Sequence, residues 1–172
     1  MFTSLFVDLR DYFEAGGLVL WPILFATILL WAIIIERYWY LFLIFPRRRD
    51  AVVKAWESRS DTTSWYARRI REKTISEVKL ESNYGIMLMK TLVGLIPLLG
   101  LLGTVTGMIQ VFEAISSLGS SNARAMAQGV SAAIIPTMSA MTVAVFTLYF
   151  VYAVEKRVRS VDEEIEDDLR YF

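Results

Sequence analysis

The sequence predicts an all-α integral membrane protein with three transmembrane helices. Three observations predict it: three long apolar runs without charge, a strong bias of Lys and Arg toward one side of those runs, and helix-spaced apolar residues outside them. Composition agrees. The chain is 55% hydrophobic with a mean hydropathy of +0.45, and the apolar residues sit in blocks where a soluble domain disperses them. Net charge is zero, so there is no basic footprint for nucleic acid. With no Cys and no His, a disulfide, a thiolate or imidazole zinc site and a Ser–His triad are excluded. No metal, cofactor or enzymatic activity is expected.

Residues 1–16 come first. Leu5, Phe6, Leu9, Tyr12 and Phe13 recur at helical spacing, which predicts a short amphipathic helix on the outer surface, ended near Gly16-Gly17. Asp8 precedes the first basic residue, Arg10, so a positive n-region is missing and the next apolar run reads as a retained span. That span occupies residues 17–45. Leu18 to Ile35 is uncharged, Glu36-Arg37 interrupts, and the chain stays apolar to Phe45 before Pro46 and Arg47-Arg48-Arg49 stop the run. A bilayer core takes about 20 helical residues, so Leu18 to roughly Tyr40 spans, with Trp39 and Tyr40 as interfacial anchors.

Residues 46–84 are of mixed charge with helical patches such as Ala51 to Trp56. The second span, 85–115, is uncharged from Thr91 to Phe112. Ser116 to Asn122 make a tight polar turn, so the second and third spans form an antiparallel hairpin. The third span, 123–154, is uncharged from Ala125 to Val154. It is longer than a bilayer core and must tilt or project. Residues 155–172 continue it as an amphipathic helix: Val154, Val158, Val161, Ile165 and Leu169 form a stripe, with acidic residues on the other faces. The stripe is expected to pack on a neighbour.

Lys and Arg set the orientation. Ten lie between Pro46 and Leu80 and four in the tail after Val154, against Arg10 and Arg124 on the other side. Segment 46–84 and the C-terminus are therefore expected in the cytoplasm. The N-terminus and the 116–122 turn are expected outside.

Two features of the hairpin point to function. Gly100, Gly103 and Gly107 in the second span, and Gly129, Ala133, Ala140 and Ala144 in the third, are small residues that let helix backbones approach closely. They serve either packing within one chain or assembly of several copies. Three spans offer few internal partners, which favours assembly. Pro97 and Pro136 remove backbone hydrogen bonds and are expected to bend their helices. The second feature is polar. Thr104 and Thr137 lie at nearly equal distances from a turn centred near Ser120, hence at one depth. Either each hydroxyl bonds its own helix, or the two form a polar layer with Ser131 nearby. Neither span carries an ionisable group at its centre, so a proton path needs a carboxylate from a partner. Glu36 with Arg37, and Glu113, remain as charges at the two edges.

The residues resemble a known family. Gly16-Gly17, the run with Trp21-Pro22, and Glu36-Arg37 before an aromatic are similar to the first span of the ExbB/TolQ/MotA proton-channel family. Pro97-Leu98-Leu99-Gly100-Leu101-Leu102-Gly103-Thr104-Val105-Thr106-Gly107-Met108-Ile109 resembles its second-span signature, and Ala127 to Thr137 its third. The resemblance implies a homopentameric ring in a bacterial inner membrane, with the second and third spans lining a pore. It implies an ExbD-like single-span partner carrying a membrane aspartate, and a TonB-like protein that receives the work. Thr104 and Thr137 match the family's pore threonines. The long second and third helices are expected to extend into the cytoplasm. The expected role is a proton-driven motor subunit, closest to compact ExbB-like proteins that energise TonB-dependent uptake of siderophore-iron, haem or cobalamin. TolQ-like work in envelope integrity and division, or a non-conducting membrane scaffold, are the alternatives. One departure is Ala132, where the family commonly has glutamate.

Overall fold

The computed structural model is helical throughout its regular elements and describes residues 2–62, 64–118 and 123–169. In order these are α1 (Phe2–Gly16), α2 (Leu20–Trp39), a π-helical turn (Tyr40–Ile44), α3 (Phe45–Glu57), α4 (Trp65–Asn83), α5 (Ile86–Leu118) and α6 (Ala123–Asp168). Three of the continuous helical stretches are long and apolar enough to cross a membrane, as the three charge-free runs require. Positions 119–122 of the expected hairpin turn lie outside the described residues.

Each boundary has a local cause. Gly17 ends α1 with a positive φ of 69°, a conformation that costs an L side chain energy but not glycine. Ser64 caps α4: its hydroxyl accepts from the Ala67 amide at 3.1 Å. Pro46 stops the apolar run but not the helix. It sits in the first turn of α3, directly after the π turn, where the Phe45 amide donates to the Tyr40 carbonyl five residues back. A wider turn relieves the missing proline donor, so the backbone stays helical to Glu57. Likewise, Pro97 and Pro136 each lie inside an unbroken helix.

The chain divides into two compact units. One comprises Met1–Trp31 and Thr91–Leu148, the other Ala32–Lys90 and Tyr149–Phe172. In the first unit α5 and α6 form a close seam. A Cβ placed on Gly107 would lie 2.4 Å from the Ala133 amide nitrogen, one on Gly100 would lie 2.6 Å from the Ala140 Cβ, and one on Gly129 would lie 2.5 Å from Val111. These three pairs are symmetric about position 120, so the helices run antiparallel in one fixed register. The small residues that the sequence favours for assembly of copies are thus occupied inside the hairpin. The Tyr12 hydroxyl bonds Ser139, and Phe13 packs on Trp21 with ring centroids 5.1 Å apart. So α1, which the sequence places on the outer surface, packs along α6 within this unit.

The second unit resolves the charge asymmetry of the sequence. Val154, Val158, Val161, Ile165 and Leu169 are all at most 1% exposed, so the C-terminal stripe is core. Around it, basic residues of the middle segment meet acidic residues of the tail. Arg49 bridges Glu164 at 3.0 Å and Asp168 at 2.6 Å, Lys79 pairs with Glu166, and Lys90 with Glu155 at 2.8 Å. Arg71 donates to the carbonyls of Glu166 and Leu169. A cation on the last-turn carbonyls satisfies groups the helix leaves open and opposes its dipole.

Candidate functional site in the α5–α6 hairpin

The seam sets the height of each hydroxyl. Because Gly103 faces Pro136 and Gly107 faces Ala133, position 104 falls opposite 136, one residue from Thr137. The equal depth read from the sequence therefore follows from the observed register. The two hydroxyls differ in their bonds. Thr104 Oγ1 donates only along its own helix, to the Leu101 carbonyl at 2.7 Å, and its side chain is half-buried. Thr137 Oγ1 lies 2.9 Å from the Gly100 carbonyl on α5 and 3.2 Å from the Ala133 carbonyl on α6. Thr137 thus ties the two helices at the point where Gly100 lets them approach. Each oxygen keeps lone pairs, so each can accept a proton-bearing group while donating to a carbonyl.

The remaining candidates fall elsewhere. Ser131 is half-buried on α6. Thr106 donates to the Gly103 carbonyl at 3.0 Å and, unlike Thr104, lines a cleft of about 290 Å³ with Gly16, Gly17, Gly107, Gln110 and Ala132. Ala132, the departure from the family pattern, therefore lines a largely apolar cleft whose polar side chains are Thr106 and Gln110. Glu113 is exposed, and its carbonyl accepts from the Ser116 and Ser117 hydroxyls at 2.9 and 2.8 Å. Pro97 is half-buried, Pro136 is buried against Gly103, and a Cβ placed on Gly94 would meet no other element within 4 Å. In the second unit Glu36 is exposed while Arg37 is only 4% exposed.

Sequence reasoning placed Tyr12 on an amphipathic helix but did not find its bond to Ser139, 127 residues away. Nor did it find the burial of Arg37. A charge pair within an otherwise apolar run from 18 to 45 was the available signal, since a cation there must find a protein environment.

The acidic groups outside the spans are shaped by their partners. Lys90 and then Arg159 hold the Glu155 carboxyl below the usual range by hydrogen bonding, and Lys79 does so for Glu166. Burial pushes Asp162 up, against a weaker opposing hydrogen bond from Asn83. Among the described residues no group of three His, Cys, Asp or Glu could hold a metal.

Comparison with known proteins gives a consistent result. Residues 47–167 match the MotA/TolQ/ExbB proton channel family. An ExbB-like biopolymer transport protein of Synechocystis sp., ExbB-like 1, is 30% identical over 172 positions, covering 81% of this chain and 68% of that protein. A second from the same organism, ExbB-like 3, is 27% identical over 168 positions, covering 79% and 80%. No solved structure matches. The match takes in α3, α4, α5 and nearly all of α6, including the whole described hairpin seam. The chain belongs to the MotA/TolQ/ExbB proton channel family, as a multi-pass membrane channel and motor subunit rather than an enzyme.

Proposed function

We propose that this chain is the ring-forming subunit of an inner-membrane motor that turns proton flow into mechanical work for TonB-dependent transport. The observation that carries the reading is the α5–α6 hairpin. It holds hydroxyls at one depth, Thr104 and Thr137, and no carboxylate along the charge-free runs. An ExbD-like single-span partner then supplies the titrating aspartate. A neutral hydroxyl can donate to that carboxylate and accept from its protonated form. A fixed charge would instead hold one protonation state by shifting the acid's pKa. Ser131 is the further proton-path candidate on α6, and in the proposed orientation Glu36 and Arg37 lie near the inner membrane interface and Glu113 near the outer.

In this reading the subunits assemble as a pentamer. The large apolar side chains that α5 exposes, Leu98, Leu101, Leu102, Val105, Ile109 and Phe112, meet neighbouring copies, the partner or lipid. Segment 46–84 and the C-terminal helix lie in the cytoplasm, and the N-terminus lies in the periplasm. The two relatives bear ExbB-like names; TonB-type work is the first reading, and TolQ-like work in envelope integrity is the second.

Iron-limited growth on a siderophore, in a strain lacking its own motor and supplied with this chain and its partner, tests the proposal. Thr104→Val is expected to assemble normally and to grow poorly. Normal growth of that variant would remove the hydroxyl layer from the proton path.

A further inference from the structure

In the second unit, the three consecutive arginines that end the first apolar run differ in their partners. Arg48 holds both oxygens of Glu81, from Nη2 at 2.7 Å and from Nε at 3.1 Å. Arg49 bridges Glu164 at 3.0 Å and Asp168 at 2.6 Å. Arg47 is exposed and, among the described residues, meets neither a carboxylate nor any other acceptor. Its guanidinium stays charged under all ordinary conditions. The triplet therefore leaves one uncompensated cation here, open to solvent.

That cation lines a cleft of about 420 Å³, whose other walls are Trp39, Leu43, Ile44 and Arg48. The cleft runs along the π turn, Tyr40–Ile44. Leu41 and Phe45 turn into the core and are buried, while Trp39, Leu43 and Arg47, each four residues apart, share the outer side. Trp39, Leu43 and Ile44 are 62%, 55% and 49% exposed. Every lining residue is thus accessible from outside, and nothing in the chain stands between Arg47 and an incoming anion.

The order of these groups along the helix specifies the ligand. The apolar run of the first span stops at Phe45, and Pro46 and the arginines follow, which is where a span meets the headgroups. Trp39 lies eight residues nearer the middle of the span than Arg47, about 10 Å along the helix. The cleft therefore has its charge at the headgroup end and its apolar wall at the acyl end. A free anion would use Arg47 alone, and a neutral lipid would use the apolar wall alone. An anionic phospholipid uses both, and a phosphate accepts two parallel bonds from a guanidinium. We infer that this cleft holds one anionic phospholipid, with its phosphate on Arg47 and its upper acyl chain along Leu43 and Trp39.

The inference rests on the membrane span and not on proton conduction or orientation, so it can fail while the motor assignment stands. The full chain, purified in mild detergent, is titrated with dioleoylphosphatidylglycerol, dioleoylglycerol or inorganic phosphate. Melting temperature and lipid adducts by native mass spectrometry are read. Phosphatidylglycerol is expected to raise the melting temperature and remain bound; dioleoylglycerol and inorganic phosphate at equal concentration are not. Arg47→Gln removes the anchor at an exposed position, so the fold should persist while phosphatidylglycerol retention weakens about fivefold. Arg68→Gln removes one charge from an exposed position outside the cleft and should retain lipid as the parent does. Equal retention by Arg47→Gln and the parent, a matching loss in Arg68→Gln, or equal effects of the two lipids would overturn the inference. Protection by inorganic phosphate equal to that by phosphatidylglycerol would overturn the lipid assignment. Loss of assembled copies in Arg47→Gln, with lipid retention unchanged, would give the cleft to a neighbouring copy instead.

Discussion

Replacing Gly107 by alanine perturbs the seam with a single methyl. That methyl would sit 2.4 to 2.6 Å from the N, Cα and Cβ of Ala133, where carbon contacts are ordinarily about 3.5–4.0 Å. Two of those atoms are backbone, so no rotamer change relieves the overlap and the helices must part by roughly 1 Å. The movement is shared along the seam. It loosens the Gly103–Pro136 and Gly100–Ala140 contacts and stretches the Thr137–Gly100 bond from 2.9 Å to a length that no longer counts as a bond. Overpacking costs about 1–3 kcal/mol and the lost bond about 1. The gain in helix propensity on removing glycine returns about 1 kcal/mol. The net expectation is a loss of about 1–3 kcal/mol. Gly94→Ala is the control, because nothing lies within 4 Å of its Cβ position, and the propensity term alone should raise stability there. Thermal unfolding of the full chain in mild detergent, followed by circular dichroism, reads both variants. A Gly107→Ala variant that melts at or above the parent would refute the seam.

Three other outcomes follow from the same contacts. Thr137→Val should lower the melting temperature more than Thr104→Val, because only Thr137 bonds across to the other helix; equal losses in the same melt would contradict the register. Asp162→Asn should melt at or above the parent at pH 7: burial raises the Asp162 carboxyl, so its ionised form is a cost that is full above the raised value and vanishes at low pH. The difference should therefore close on acidification through the carboxyl range, whereas Glu155 and Glu166, with lowered values, lend stability that disappears as pH falls through them. Ser60→Cys, introduced into a chain with no cysteine, should resist a membrane-impermeant thiol reagent in intact cells, and labelling from outside would reverse the topology.

The three spans were legible because bilayer thickness imposes a length and a polarity that no other environment asks for. The hairpin register was legible for a related reason: two regular helices about a short turn fix depth by residue count alone, as Gly107 against Ala133 shows. What the small residues touch was not legible. A glycine face specifies a close approach but not whose backbone approaches, and Gly100, Gly103, Gly107 and Gly129 all meet the same chain. The helix through Pro46 was hidden because a π turn depends on backbone accommodation, which composition does not encode. The pairing of Arg49, Lys79 and Lys90 with the acidic tail was visible only as two opposite charge blocks. Long-range contacts such as Tyr12 with Ser139 leave no periodic trace.

Proton flux tests the central claim most directly. Proteoliposomes carrying this chain together with its single-span partner would be driven by an imposed pH gradient, with a pH-sensitive dye inside. The account predicts flux that requires the partner's membrane carboxylate and that falls in Thr104→Val while the complex stays assembled. Equal flux from the chain alone, or undiminished flux in Thr104→Val, would contradict it.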